Sequence, residues 1–207
     1  MTTFYFIRHG QTTANALGLK QGTINDDRTH LTAKGQQQAA HLASQFDLRT
    51  VDALYVSPLA RTQETAALLN QQAQLTPQLD PRLLEISYGN WDGQQNATLE
   101  AAHPEVFDPV LHDVLPSYVE VAQGGESFAQ VQARVAEFMQ AVAAVRPQAA
   151  VACVTHGFTV KAAALAALMP ESAMALPEPD NTSVTKLTLT AGQYYLWYYN
   201  RFDAQTY

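Results

Sequence analysis

Residues 4–15 read FYFIRHGQTTAN, and this stretch decides the predicted fold. Its first four residues are apolar, which is typical of a strand buried on both faces of a parallel sheet. The strand ends at Arg8, His9 and Gly10, at the edge where ligands bind in open α/β sheets. An arginine fork suits phosphate or carboxylate, and Gly10 is expected to let the backbone pass close to a bound anion. Taken alone, the three residues are equally compatible with a solvated Arg–His pair.

A second predicted strand also ends close to an arginine. It covers residues 51–56, and we interpret Ser57 as the N-cap of the following helix, with Pro58 in the first turn. Arg61 then lies within about one helical turn of the strand's carboxyl end. The alternative for this arginine is a weak pair with Glu64 on its own helix.

A third strand, residues 149–154, is followed by His156 and Gly157 and then by an apolar helix. Between the second and third strands, the loop of residues 84–93 carries Glu85. Taken singly, His156 could instead be a capping histidine, and Glu85 could be a surface carboxylate.

The other segments complete an α/β pattern. Helices are predicted at about 32–46, 126–145 and 158–168, a short strand within 75–84, and a hairpin around Ala191 and Gly192. We therefore expect a single domain over residues 1–207, a three-layer sandwich in which helices flank a mostly parallel central sheet. An irregular helical insertion at about residues 90–125 is expected to cover the site as a lid.

The composition limits the partners. The chain has 207 residues, a net charge of -7 and only 12 Lys and Arg, so no basic run exists to hold a nucleic acid. Cys153 is the only cysteine, which excludes an internal disulfide and suits a reducing cytosol. Residues 158–169 are too short for a membrane span, and the first strand leaves no room for a signal peptide. We expect a cytoplasmic protein with neither nucleic acid nor membrane as partner.

Together, the two arginines, two histidines and one carboxylic acid match the needs of a phosphoryl transfer. Two arginines and an imidazole can hold the charge on the three equatorial oxygens of the phosphoryl group. The second imidazole can act as a nucleophile in line with the leaving oxygen, and the carboxylic acid can protonate that oxygen. The ligand spacing suggests no metal site.

Five motifs in this order resemble the histidine phosphatase superfamily, also called the phosphoglycerate mutase-like family. They are Arg8-His9-Gly10 with Asn15, Ser57-x-x-x-Arg61-Thr62, Glu85 before Gly89-x-Trp91, Gly125-Glu126-Ser127, and His156-Gly157. The resemblance runs from residue 4 to residue 185. The chain departs from the usual residues at four positions, none of which removes a group that the mechanism needs: Gln11, Ala14, His30 and Asp92.

The resemblance implies a phosphohistidine intermediate on His9. It implies that Glu85 donates a proton to the leaving group and later acts as the base for water. It also implies that no metal or other cofactor takes part. Arg8, Arg61 and His156 complete the implied catalytic set. The residues implied for the phosphate pocket are Arg8, Asn15, Gln21, Gly22, Arg61, His156 and Gly157.

The family contains mutases and phosphatases, and the chain looks most like the broad-specificity phosphatases. Mutases usually carry Arg-His after the acidic glutamate, where this chain has Ile86 and Ser87. We therefore expect hydrolysis of small phosphorylated metabolites, with a phosphoglycerate mutase as the runner-up and a non-catalytic phosphate-binding protein as the third alternative. The sequence leaves the oligomeric state open, with a homodimer as one candidate.

Overall fold

A six-stranded sheet forms the centre of the computed structural model, which describes residues 1–201. Its strands are β1 (Thr2–Arg8), β2 (Ala53–Val56), β3 (Pro77–Leu79), β4 (Ala150–Thr155), β5 (Val184–Thr190) and β6 (Gln193–Arg201). They lie in the order β3-β2-β4-β1-β5-β6. The first four strands in that order are parallel, whereas β5 runs antiparallel to both β1 and β6. This arrangement confirms the α/β class and the predicted hairpin.

Helices cover both faces of this sheet. They are α1 (Thr13–Ala16), α2 (Ala33–Gln45), α3 (Ala60–Leu69), α4 (Asn96–Ala102), α5 (Phe128–Val145) and α6 (Gly157–Leu168). Within residues 1–201, no helix combines the length and the apolar character that crossing a membrane requires.

The alternation of side chains along β1 creates the layers. Successive residues of a strand point to opposite faces. Phe4 and Phe6 lie in a hydrophobic cluster with residues of α5 and α6, and Ile7 lies in a second cluster with residues of α2 and α3. All three side chains are completely buried, and each burial stabilises the fold by about 1.5–3 kcal/mol. The unbroken apolar run thus serves two cores, which confirms the three-layer sandwich.

Local capping explains where α5 begins. Ser127 is its N-cap, and its hydroxyl accepts a hydrogen bond from the Gln130 amide at 3.2 Å. The Gln130 side chain accepts one from the Ser127 amide at 2.7 Å in return. This capping box provides hydrogen-bond partners for two backbone amides that have none within the helix. The start of the helix at this position confirms the prediction.

The predicted start of α3 is wrong. The helix begins at Ala60 with Leu59 as its N-cap, and Ser57 lies outside it. The Ser57 hydroxyl lies 2.7 Å from Nε2 of His156. It therefore forms a hydrogen bond with a residue that follows the neighbouring strand and does not cap the helix. Arg61 still falls in the first helical turn, beside the end of β2.

The insertion is irregular, as predicted. Beyond α4 it consists of short 3-10 turns, held by a group of buried aromatic rings. The ring of Trp91 lies 6.1 Å from the rings of both Phe107 and Tyr118, measured between centroids. Aromatic packing can therefore fix a segment that has no periodic pattern. That this segment acts as a lid, and that residues 1–207 form one domain, stay predictions.

Candidate active site

A pocket of about 380 Å³ lies where β1, β2 and β4 end. Seven of the predicted site residues line it: Arg8, His9, Asn15, Gln21, Gly22, Arg61 and Glu85. His156 and Gly157 are not among the lining residues. The register of the sheet places Arg8 beside Thr155, so the next residues of both strands, His9 and His156, are neighbours with ring centroids 5.3 Å apart.

The hydrogen bond of His9 fixes its tautomer. Nδ1 lies 2.7 Å from the carbonyl oxygen of Gly10. A carbonyl can only accept, so Nδ1 carries the hydrogen and Nε2 keeps a free lone pair. Burial holds the pKa of His9 well below its usual value, and the charges of Arg61 and Arg8 lower it further. The imidazole is therefore neutral at pH 7 and has the form that a nucleophile needs.

Gly10 is required for a reason other than the predicted one. A Cβ at this position would lie 2.4 Å from the carbonyl oxygen of Gly35 on α2, so the close approach is to a helix and not to a bound anion. The Gly10 amide donates to the hydroxyl of Thr65 on α3 at 3.1 Å. The backbone that orients His9 is thus held between two helices.

Arg61 is a completely buried cation with neutral partners. Its Nη1 and Nη2 donate to the carbonyl oxygens of Ile24 at 3.0 Å and Gly22 at 2.8 Å. None of the ion pairs in the described part of the chain includes Arg61. Burial lowers the pKa of Arg61 to about 10, against the opposing charge of Glu85, so the guanidinium stays charged at pH 7. A buried charge without a carboxylate partner fits an anionic ligand.

His156 connects this arginine to the end of β2. Nε of Arg61 donates to Nδ1 of His156 at 3.2 Å, so the hydrogen of the neutral imidazole is on Nε2. Nε2 then donates to the Ser57 hydroxyl at 2.7 Å. Burial, followed by the charge of Arg61, holds the pKa of His156 well below its usual value. In this arrangement the imidazole orients Arg61 and packs against His9.

Arg8 has an unused donor. Its Nη1 donates to the carbonyl oxygen of Pro179 at 2.5 Å and lies 3.8 Å from Oε2 of Glu178. Its Nε is buried and has no hydrogen-bond partner in the described structure. Leaving a buried charged donor unpaired is costly. Arg8 lines the pocket, so an anion bound there would lie beside a guanidinium group whose charge is not fully compensated.

Glu85 lies at the amino end of α6. Its carboxylate accepts hydrogen bonds from the amides of Ile86 at 3.0 Å and of Phe158 and Thr159, both at 3.3 Å. Burial nevertheless raises the pKa of Glu85 above its usual value, although the Ile86 amide and the charge of Arg61 oppose this effect. A carboxyl group with a raised pKa, facing a pocket of arginines, can both donate and accept a proton.

The loop that closes the phosphate side is held by its own side chains. Oδ1 of Asn15 accepts hydrogen bonds from the Thr12 amide and hydroxyl, both at 3.1 Å, and Oε1 of Gln21 lies 2.9 Å from the same hydroxyl. Gly22 has a φ of 50°, and a Cβ there would lie 1.7 Å from the carboxylate of Asp92. These contacts keep the loop close to Arg61.

Sequence reasoning missed three charged residues of the pocket wall. Lys20 forms an ion pair with Asp113 of the insertion, and its Nζ lies 4.8 Å from the centre of the Tyr88 ring. Glu178 also lines the pocket, beside Arg8. All three lie in segments without a periodic pattern. The only sequence signal was that Lys20 precedes Gln21 and Gly22, which the resemblance implies for the phosphate pocket.

The chain matches a known protein family over almost its whole length. The model of the family "Histidine phosphatase superfamily (branch 1)" matches residues 4–201. The chain is 32% identical to phosphoserine phosphatase 1 of Hydrogenobacter thermophilus over 162 residues, which are 78% of this chain and 74% of that protein.

Solved structures are similar over almost the whole chain. YhfR of Bacillus stearothermophilus has a TM-score of 0.86 at 28% identity, covering 98% of both chains. A mycobacterial glucosyl-3-phosphoglycerate phosphatase, solved in complex with VO3, has a TM-score of 0.79 at 27% identity, covering 96% of this chain and 98% of that one. Coverage of this extent shows that the chain shares its overall fold with these proteins.

Proposed function

The chain belongs to the histidine phosphatase superfamily (branch 1) and is a phosphoric monoester hydrolase, and we propose that it hydrolyses small phosphate monoesters through a phosphohistidine on His9. One observation carries the proposal. The hydrogen bond from Nδ1 of His9 to the Gly10 carbonyl leaves the lone pair of Nε2 free in a pocket that two arginines line. A neutral imidazole beside two guanidinium groups can attack a phosphoryl group whose charge those groups hold.

The first step transfers the phosphoryl group to the enzyme. The lone pair of His9 Nε2 forms a bond to phosphorus while the bond from phosphorus to the ester oxygen breaks. Glu85, in its protonated form, gives its proton to that oxygen, and the alcohol leaves. The hydrogen on Nδ1 of His9 stays there, and the Gly10 carbonyl stabilises the positive charge on the ring.

The second step releases phosphate. The Glu85 carboxylate takes a proton from water while the water oxygen attacks phosphorus. The bond between phosphorus and Nε2 of His9 breaks, and its electron pair returns to the ring. Glu85 is then protonated again and His9 is neutral, so the cycle closes with no net change in the enzyme.

Arg8 and Arg61 supply the positive charge for both steps. The buried Nε of Arg8 has no partner in the described structure, and Arg61 has only neutral acceptors. Their local charge opposes the net charge of -7 of the chain, which favours a small anion over a polyanion. We therefore propose that phosphoryl transfer proceeds without a metal ion.

Two features favour hydrolysis over the mutase reaction. The positions after Glu85, where mutases usually carry Arg-His, hold Ile86, which is completely buried, and Ser87. Lys20, a further cation of the pocket, is neutralised by Asp113. Few groups are therefore free to retain an anionic product during the lifetime of the phosphohistidine. Water can replace the product in the pocket and attack the phosphohistidine.

The test is phosphate release by the purified protein in excess chelator. Nitrophenyl phosphate should be hydrolysed, orthovanadate should inhibit as a five-coordinate analogue of the transition state, and His9→Ala should be inactive. His30→Ala, at an exposed histidine outside the pocket, is the matched control. Isomerisation of 3-phosphoglycerate in the presence of 2,3-bisphosphoglycerate without phosphate release would indicate the mutase. Tight phosphate binding without turnover of any ester would indicate the non-catalytic alternative.

A further inference from the structure

The segment 177–179 contributes Pro177 and Glu178 to the pocket lining, and the phosphoryl-transfer steps use neither residue. It is attached at both ends. The Tyr199 hydroxyl donates to the carbonyl oxygen of Pro177 at 2.6 Å, and Arg8 donates to that of Pro179 at 2.5 Å. Glu178, between these two anchors, is thereby held at the pocket.

The carboxylate of Glu178 is packed closely against the start of α6. A Cβ added to Gly157 would lie 2.1 Å from its Oε2, so only glycine leaves room for this carboxylate. Its ion pair with Arg8, 3.8 Å long, is the only polar contact that Glu178 makes within residues 1–201. The absence of a side chain at Gly157, which was predicted to bind phosphate, thus leaves room for the Glu178 carboxylate.

Within residues 1–201, Arg8 is the only cation that forms an ion pair with Glu178. The charge of Glu178 also opposes the lowering that burial causes in the pKa of Lys161, which is completely buried and does not line the pocket. Arg8 is shared with the phosphoryl group, and Lys20 is paired with Asp113. Glu85 is protonated when the ester binds, and the charge of Asp113 is matched by Lys20. When a substrate phosphate shares Arg8, the charge of Glu178 is therefore only partly balanced.

From this geometry we infer that Glu178 is a specificity-determining residue that selects phosphate esters of alcohols carrying a protonated amine. The inference rests on the proposed phosphatase function and names its substrate class. An ammonium group near the ester would lie beside Glu178 and add to the positive charge that Arg8 then shares with the phosphate. An alcohol with a carboxylate or a second phosphate would face repulsion there.

The titration of Glu178 supports this inference. Burial, followed by the charge of Asp113, raises the pKa of Glu178 to about 7, although Arg8 opposes the shift. The neighbouring cations therefore do not fully compensate the carboxylate. A bound ammonium would stabilise its charged form.

The experiment compares three matched esters at pH 8, where Glu178 is ionised. They are 2-aminoethyl phosphate, 2-hydroxyethyl phosphate and phosphoglycolate, which differ in a positive, neutral or negative end group. We expect kcat/KM of the wild type to fall in that order, by about tenfold for each change, the scale of one hydrogen bond to a charged group. Glu178→Gln should bring the ratios between the three esters close to one, whereas Glu178→Asp, which keeps the charge, should retain the order.

Glu171→Gln, at an exposed carboxylate outside the pocket, is the matched control and should retain both the order and the rate on nitrophenyl phosphate. Unchanged ratios in Glu178→Gln, or a wild-type preference for phosphoglycolate, would overturn the inference and leave the phosphatase function standing. If the wild type hydrolyses none of the esters, nitrophenyl phosphate included, the proposed function fails and this inference fails with it.

Discussion

Replacing Glu85 with glutamine tests the general acid separately from the nucleophile. The amide has nearly the shape of the carboxyl group, but it cannot give a proton to the leaving oxygen. General acid catalysis contributes about 10²–10⁴-fold, which corresponds to about 2.7–5.4 kcal/mol of barrier. An alkyl phosphate, which leaves as a basic alkoxide, should lose this whole factor in the phosphorylation step. A nitrophenyl phosphate, which leaves as a stabilised phenolate, should lose only about tenfold or less.

The structure limits how far Glu85→Gln could act through folding. The side chain accepts hydrogen bonds from the amides of Ile86, Phe158 and Thr159. The amide can keep those at its oxygen and loses those at its nitrogen, at about 0.5–1.5 kcal/mol for each lost bond. In a protein of this size that shifts the Tm by a few degrees only. The assay is rapid-mixing kinetics at a temperature well below the Tm of the variant.

With nitrophenyl phosphate, the variant should show a burst of nitrophenol followed by a slow steady rate. The burst arises because phosphorylation of His9 stays fast while the water attack, for which Glu85 is the base, is slowed. Glu171→Gln should behave as the wild type. Equal losses of the phosphorylation rate for alkyl and aryl esters would show that Glu85 is not the acid, and Glu178, the other carboxyl group beside Arg8, would become the candidate.

Three further predictions follow from the same contacts. Arg8→Lys and Arg61→Lys should each lower kcat/KM by about 10²-fold or more, because an ammonium cannot form the two parallel bonds of the guanidinium fork; near-wild-type steady-state kinetics would place the arginines outside the reaction. Gly35→Ala should lower the free energy of unfolding by about 1–3 kcal/mol in chemical denaturation, since its Cβ would lie 2.0 Å from the Gln11 carbonyl; unchanged stability would contradict this contact. Because the pKa of His9 lies well below 6.5, His9 keeps its lone pair as the pH falls through 6.5. The kcat/KM for nitrophenyl phosphate should therefore decline only at more acidic pH, and a decline centred at or above pH 6.5 would show that burial and the arginine charges do not lower the pKa of His9.

The sequence predicted the residues of the site best where strand geometry places them. Arg8, His9 and His156 follow two buried strands, and the carboxyl ends of neighbouring parallel strands converge on one edge of the sheet. The apolar run of residues 4–7 was sufficient to predict the strand, and the helical spacing of the apolar residues that follow Ser127 was sufficient to predict α5. These signals are local in the chain.

The sequence did not predict contacts between side chains that lie far apart along the chain. The Ser57 hydroxyl has the chemistry of an N-cap, but it forms a hydrogen bond with His156, which lies 99 residues away in the chain. Lys20 and Asp113 are 93 residues apart, and neither lies in a periodic segment. Glu178 is placed only by the packing of its segment on Arg8 and on the start of α6. Neither spacing nor composition reports such contacts, and the same holds for the tautomers of the two histidines.

Trapping the intermediate is the most direct test of the proposed mechanism. The wild type is mixed with an ester carrying labelled phosphate and quenched in alkali within one turnover, and the labelled peptide is then identified. The label should be on His9, stable in alkali and labile in acid, and it should be absent in His9→Ala and present in His30→Ala. Label on His156 would reverse the roles of the two histidines, and hydrolysis with no labelled protein at any time within the turnover would exclude a phosphohistidine.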